Sequence, residues 1–324
     1  MRLVLSAVAL CSAFTWQGAI GQTAGQAEAY PTRAVRLVVP FPAGGPTDVL
    51  ARVLAQHISG KWGQSIIIEN RPGAGSAVAA AAVARSEPDG YTLLMAMDTT
   101  LVMNPIAMKS INYKVDDFVP ISLAASNTSI LVVPANGPKT VEELIAKGRA
   151  NPGKMNYGAG IITTRLAAFL FSKLAGLQAV SVPYNGSADV VRALLDGSID
   201  YAVDGIAPHL PHIREGTLRV LAKLDSKPVE SLPDVRQLDQ IAKMPELSDI
   251  ATWVGVVAPV GTPQHVIKRV HEAVVEATTD ADIRRKMAPL GITVTNSSPA
   301  EFAALIKSEA KRWESVIKES GFAN

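Results

Sequence analysis

Four short segments of the chain have the composition of anion-binding loops. Residues 41–48, 97–100, 159–165 and 184–187 are rich in Gly, Ser, Thr or Asn, and each lies where an apolar run gives way to a helical pattern. A helix N-terminus presents unpaired N–H groups and a partial positive charge, so it favours carboxylates and phosphates. In open α/β sheets, ligands collect at the carboxyl ends of the strands. Any α/β protein has such loops, so one alone says little. Two from each half of a chain, facing across a cleft, say more. Asp48, Asp98 and Asp204 could also form a carboxylate set for acid–base work. The plainer reading places Asp48 and Asp98 at helix starts, where the dipole favours an acid.

Most enzyme signatures are missing. There is no Gly-x-Ser-x-Gly elbow. His271-Glu272 lacks the second histidine of a zinc-protease motif. His209 and His212, beside Pro208 and Pro211, read as solvated loop histidines, because no cysteine or acidic cluster stands near them to complete a metal site. Gly73-Ala74-Gly75 is followed by Val78 where a dinucleotide loop needs a small residue, and no P-loop lysine follows. No metal and no cofactor are expected.

The elements that must position these loops follow from the hydrophobic pattern. Short apolar runs at 35–39, 65–69, 91–95, 130–134, 180–182, 199–203, 218–222, 253–258 and 292–295 alternate with helical segments, which indicates an α/β fold with mostly parallel sheets. The 324 residues suggest about two domains at ~100–200 residues each. The runs at 130–134 and 253–259 bracket a block of about 120 residues, enough for its own domain. We expect lobe 1 over 30–129 plus 256–324 and lobe 2 over 130–255. A composition of 48% hydrophobic and 19% charged residues supports a buried core, and the net charge of +2 implies no polyanion-binding surface.

Residues 1–29 read as a secretory signal peptide. Arg2 precedes a short apolar run over 3–14, and Ala27-Glu28-Ala29 fits a cleavage site before Tyr30, with a cut after Gly21 as the alternative. Lipidation at Cys11 is not expected, because bulky Leu10 stands where a small residue is needed. Cys11 is the one cysteine, so no disulfide can form within the chain.

Longer stretches carry a family resemblance. They include Tyr30-Pro31-Thr32-Arg33, Val39-Pro40-Phe41-Pro42-Ala43-Gly44-Gly45-Pro46-Thr47-Asp48, Glu69-Asn70-Arg71-Pro72-Gly73-Ala74-Gly75 and Pro88-Asp89-Gly90-Tyr91-Thr92-Leu93-Leu94. Asn151-Pro152-Gly153-Lys154, Val182-Pro183-Tyr184, Leu210-Pro211-His212-Ile213, Leu232-Pro233-Asp234-Val235 and Ala258-Pro259-Val260-Gly261-Thr262-Pro263 continue the series. Over essentially all of residues 30–322 the chain resembles the Bug-type periplasmic solute-binding receptors of tripartite tricarboxylate transporters. The resemblance implies a type II periplasmic binding protein: two lobes, each with a mostly parallel sheet flanked by helices, joined by two crossing strands. It implies capture of a small carboxylate between the lobes without catalysis. It further implies a periplasmic monomer that delivers its ligand to transporter membrane subunits and has no nucleic-acid partner.

Carried onto this sequence, the family's ligand site falls on Ala43, Gly44 and Gly45, on Thr99 and Thr100, and on Ala159, Thr163, Thr164, Tyr184, Asn185 and Asp204. Three places depart from the family's pattern. Ile161-Ile162 replaces a small polar pair, Arg165 replaces a histidine, and Asn185 replaces a lysine. Arg165 sits in the first turn of its helix, where the dipole disfavours a cation; one explanation is that it reaches into the cleft to grip a carboxylate with its planar fork. With Ile161 and Ile162 as an apolar lining, the expected ligand is an aromatic or otherwise apolar-bodied carboxylate. The alternatives are isoleucines packed beneath the loop and a solvated Arg165. Two other functions compete: a secreted hydrolase using Asp and His residues in the same cleft, and an effector-sensing domain, which the signal peptide and the missing DNA-binding helix pair count against.

Overall fold

The computed structural model describes residues 30–184, 186–226, 228–229 and 231–322. The signal-peptide reading over 1–29 and the candidate Asn185 lie outside the described residues.

Strand β1 (Val35–Val39) is buried at every position except Arg36. It runs through an exposed loop to Pro46, whose fixed φ starts α1 (Pro46–Trp62). Leu50, Leu54 and Ile58, spaced by four, bury one face of α1, and Gly63 ends it in the left-handed conformation. Strands β2 (Ile66–Asn70) and β3 (Thr92–Met97) flank β1 in parallel, with the alanine-rich α2 (Ala77–Ala84) between them in sequence. β3 leads into a π-helical turn over Thr99–Met103 and the single turn α3 (Asn104–Ala107).

The second half repeats the alternation. Helix α4 (Val141–Ala150) starts at Thr140, whose hydroxyl accepts from Glu143 N at 3.2 Å, as the capping-box pattern predicts. Then come β5 (Asn156–Ala159), α5 (Ile162–Leu174), β6 (Val180–Pro183), α6 (Ser187–Leu195), β7 (Tyr201–Gly205), α7 (Ile206–Arg214) and β8 (Leu218–Lys223). Strands β5, β6 and β7 are parallel. After α8 (Leu238–Ala242) the chain returns through β9 (Ala251–Pro259), α9 (Gln264–Thr279), α10 (Ala281–Met287), the short β10 (Thr293–Val294) and α11 (Pro299–Ser320).

One strand joins the two halves. Strand β4 (Phe118–Pro134) is 17 residues long, of which the sequence pattern picked out the last five. From Phe118 to Thr128 it pairs antiparallel with β9; from Ser129 to Val132 it pairs with β7, and from Ile130 to Pro134 with β8. The strand order is therefore β2-β1-β3-β9-β4-β7-β5-β6, with β8 and β10 also on β4. Every ladder of β9, from Ala251 onward, lies with β3 and the first part of β4. Both sheets thus meet along β4, and the carboxyl ends of β1, β3, β5 and β6 lead into the polar loops, while β7 runs directly into α7.

The largest apolar cluster spans both halves. It includes Leu94 and Met103 from the first, Phe171 and Tyr201 from the second, and Phe302 and Trp313 from α11. Helix α11 is held at its start by a reciprocal cap, Glu301 N to Ser298 Oγ at 3.2 Å and Ser298 N to Glu301 Oε2 at 2.8 Å. Its buried stripe runs Phe302, Ile306, Glu309, Trp313, Val316, Ile317, close to the helical period. The far end of α11 touches the second lobe, with a Lys173–Glu319 ion pair and Phe322 edge-on to Phe169 at 5.9 Å. No helix among the described residues is long and apolar enough to cross a membrane. Trp313 is completely buried, so Trp313→Ala should lower the unfolding free energy in urea by about 3–5 kcal/mol; a loss well below that would mean α11 is not part of the common core.

Candidate functional site

The first loop is shaped by Asp48. Its Oδ2 accepts from Gly44 N at 2.8 Å and Arg52 Nε at 2.9 Å, and its Oδ1 accepts from Asn70 Nδ2 at 2.9 Å. Burial alone would raise its pKa, but these donors outweigh it and hold the carboxyl at about 2. Asp48 is therefore an ionised clamp for the loop, with its oxygens already engaged. Gly44 sits at φ +83°, a conformation that favours glycine, and Ala43 and Gly44 are exposed. Gly45 caps α1 with ordinary extended backbone.

Thr99 and Thr100 lie in the π-helical turn after β3, and both are buried. The Thr100 hydroxyl donates to Ser76 Oγ at 2.9 Å, and its carbonyl accepts from Tyr113 at 2.6 Å. Asn104 completes this network by donating to Gly75 O at 2.7 Å. Thr100 is thus a structural anchor that ties the Gly73-Ala74-Gly75 loop to β3. Thr99 Oγ1 is buried with no hydrogen-bond partner among the described residues.

In the second half, Asp204 gathers the loops. It ends β7 fully buried, and its Oδ1 accepts from Gly205 N at 2.9 Å and from Thr164 Oγ1 at 3.4 Å. Ser187 and the Gly160 N–H also face it and favour its ionised form. Gly160 has to be glycine: a Cβ there would lie 2.6 Å from Ser187 N. A Cβ at Gly158 would likewise come within 2.8 Å of the Tyr184 ring. The glycines of Gly158-Ala159-Gly160 therefore let the loops before α5 and α6 pack against each other.

The structure corrects the reading of His209. It lies inside α7 and is fully buried, with Nδ1 3.0 Å from Gly205 O and Nε2 3.9 Å from Asp204 Oδ2. Burial pushes the Asp204 carboxyl up and the imidazole down. The pattern hid this because Pro208 and Pro211 suggest a loop, yet Pro208 falls in the first turn, where proline is tolerated, and α7 accommodates Pro211 inside it. His212 is half-buried, 3.6 Å from Glu215. Among the described residues no group of three His, Cys, Asp or Glu side chains is placed to hold a metal.

A chain of contacts joins the loops of the two halves. Thr47, at the start of α1, points its hydroxyl at Met97 Sδ, 3.6 Å away. The next residue, Asp98, accepts from Thr163 Oγ1 of α5 at 2.6 Å. Thr164 then reaches Asp204, and Gly160 packs on Ser187 at the start of α6. The N-termini of α1, α5 and α6 are thereby gathered around one interlobe region.

A model of the tripartite tricarboxylate transporter family receptor matches residues 50–322. The chain belongs to this family. It is 34% identical to the protein BugT of Bordetella pertussis over 91% of each chain. An R. palustris structure with adipate superposes with a TM-score of 0.80 at 31% identity, covering 90% of this chain and 99% of that one. MatC of Rhodopseudomonas palustris, with bound malate, gives 0.76 at 30% identity, covering 89% and 100%. The fold is that of a two-lobed periplasmic binding protein, as the family resemblance in the sequence implies.

Two of the three departures from the receptor family's usual residues lie among the described residues, Ile161-Ile162 and Arg165. The Arg165 guanidinium lies 4.2 Å over the Phe322 ring, a cation–π contact with the segment after α11. Ile162 is half-buried against the common core. Ile161, the N-cap of α5, stays half-buried and outside the three apolar clusters. Sequence reasoning missed Ser76 and Asn104, for which the Gly-rich spacing around 73–75 was the available signal, and did not foresee that Ser187 and His209 both face Asp204. A double-mutant cycle between Arg165→Ala and Phe322→Ala should give a coupling of about 0.5–1 kcal/mol in unfolding free energy; strict additivity would mean the stacking is not formed.

Proposed function

We propose that the protein is an exported, monomeric binding protein that captures a small carboxylate between its lobes and passes it to membrane subunits of a transporter, without catalysis. The observation that carries this reading is the contact chain that gathers the starts of α1, α5 and α6 around one interlobe region. Helix starts supply N–H donors and partial positive charge to an anion. Gly45, the N-cap of α1, would place a Cβ near Pro42 O alone, which leaves the backbone there open to close approach. Adipate and malate in the two R. palustris relatives are carboxylates of the size such a region suits. We assign residues 30–128 and 251–322 to one lobe and 129–250 to the other, because β4 changes partners between Thr128 and Ser129 and β9 pairs with the first sheet from Ala251.

The hydrolase reading has little to work with. Asp48 spends both oxygens on loop donors, and His209 bonds a backbone carbonyl and has no hydroxyl nucleophile on its other nitrogen. With Ile162 half-buried against the core and Arg165 on Phe322, Ile161 remains to meet an apolar ligand body. Adipate and aromatic carboxylates should then outrank malate and citrate.

A thermal-shift panel of adipate, malate, citrate, aspartate, glutamate and benzoate tests this directly. The right class should stabilise the fold by about 2.7 kcal/mol at a hundred times its Kd, shrink the radius of gyration through lobe closure, and yield no product on long incubation. Silence across the whole panel would reject the carboxylate. Gly45→Val fits the fold, since a Cβ there meets only Pro42 O at 3.5 Å, so it should weaken binding with little change in melting temperature. Arg165→Ala should leave affinity unchanged.

A further inference from the structure

The bond from Thr163 Oγ1 to Asp98 Oδ2, 2.6 Å long, crosses from one lobe to the other. Each residue is 1% exposed. The second carboxyl oxygen, Asp98 Oδ1, is buried with no hydrogen-bond partner among the described residues. An ionised carboxylate in this position gives up the hydration of one oxygen with nothing in return, whereas a neutral carboxylic acid gives up far less.

The surrounding charges point the same way. The turn that begins at Asp98 packs on α11, α5, α3 and the short turn Ala74–Ser76. Helix α11 faces it with Glu309, a buried acid held by Trp313 Nε1 at 2.9 Å and Arg312 at 3.3 Å. The two cations of α5 are engaged elsewhere, Arg165 on Phe322 and Lys173 on Glu319. Helix α3 and residues 74–76 carry no charge. Burial first, and Glu309 after it, push the Asp98 carboxyl up to about 7, against the opposing pull of Thr163 and of the Thr99 N–H.

We propose that Asp98 is a proton-binding latch: closing the lobes seats it under Thr163 as a neutral acid, and its ionisation favours opening. This rests on the lobe closure proposed above and is independent of which carboxylate binds. The proton comes from solvent and resides on Oδ1, the oxygen that no donor reaches. When the lobes part, water reaches Asp98 and its pKa returns toward the ordinary 3.8. The pKa is therefore higher in the closed form. The bias toward closure is complete below the open value, declines by up to about tenfold per pH unit above it, and is lost as pH rises through about 7. Such a protein takes up a proton together with its anionic ligand, which spares a second negative charge in the closed cleft.

The test is small-angle scattering of the ligand-free chain between about pH 8 and about pH 5. The wild-type radius should shrink on acidification. Asp98→Asn, neutral and of the same shape, should be compact at both ends of the range. Thr163→Val should flatten the response in the expanded form, and Thr163→Ser should restore it. A wild-type radius indifferent to pH, or the same response in Asp98→Asn, overturns the latch. If Asp98→Asn does not fold, the Thr163 pair decides: equal responses in the valine and serine variants overturn it. A carboxylate from the panel that compacts the wild type with the same Kd at both pH values would overturn the latch and leave the carboxylate reading standing. Absence of compaction with every carboxylate, while the acid response persists, would do the reverse.

Discussion

Strand β4 is the constraint on which the architecture depends. A β-strand must satisfy its backbone N–H and C=O groups along its whole length, and this one does so with β9 and β10 in its first part and with β7 and β8 in its second. Two sheets that share a continuous strand cannot be placed independently. Their parallel strands are brought to a common region, and the loops that follow those strands inherit that convergence. The polar segments at 41–48, 97–100, 159–165 and 184–187 meet for this reason.

Three aspartates in this region show how environment divides one side chain into different roles. Asp48 receives three donors, including a guanidinium, and stays ionised to shape the first loop. Asp204 organises the two loops of the second lobe, with a buried histidine as neighbour. Asp98 has one strong donor from the opposite lobe, an unpartnered oxygen and an acid beside it. Arg52 and Arg165 are engaged with Asp48 and Phe322.

Helix α11 ties the lobes from behind. Its first half packs Phe302 against Trp253 at 5.2 Å, and the segment past its end carries Phe322 to Phe169 and Arg165. A cation in the first turn of α5 is disfavoured by the dipole, and an aromatic face offers it a compensating negative surface. That partner lies 157 residues further along the chain, which is why local reasoning turned Arg165 toward the cleft instead.

The amino-acid order by itself determined the α/β class, most of the strands and helices, the polar loops at strand ends and the family. These are properties of short windows: β-branched runs, helical spacing, Pro46, the Thr140 cap and the glycines in the turns. It did not reveal that β4 begins at Phe118, because a strand with residues buried on both faces shows no clean alternation in its first, mixed part. Nor did it reveal that α7 buries His209 despite its two prolines. Above all, it could not say which polar residues face a ligand and which face one another. Thr100 turned to Ser76 and Asp98 to Thr163 because hydrogen-bond partners are chosen by distance in space, and for Asp98 and Thr163 that distance exists only once the two sheets are joined along β4.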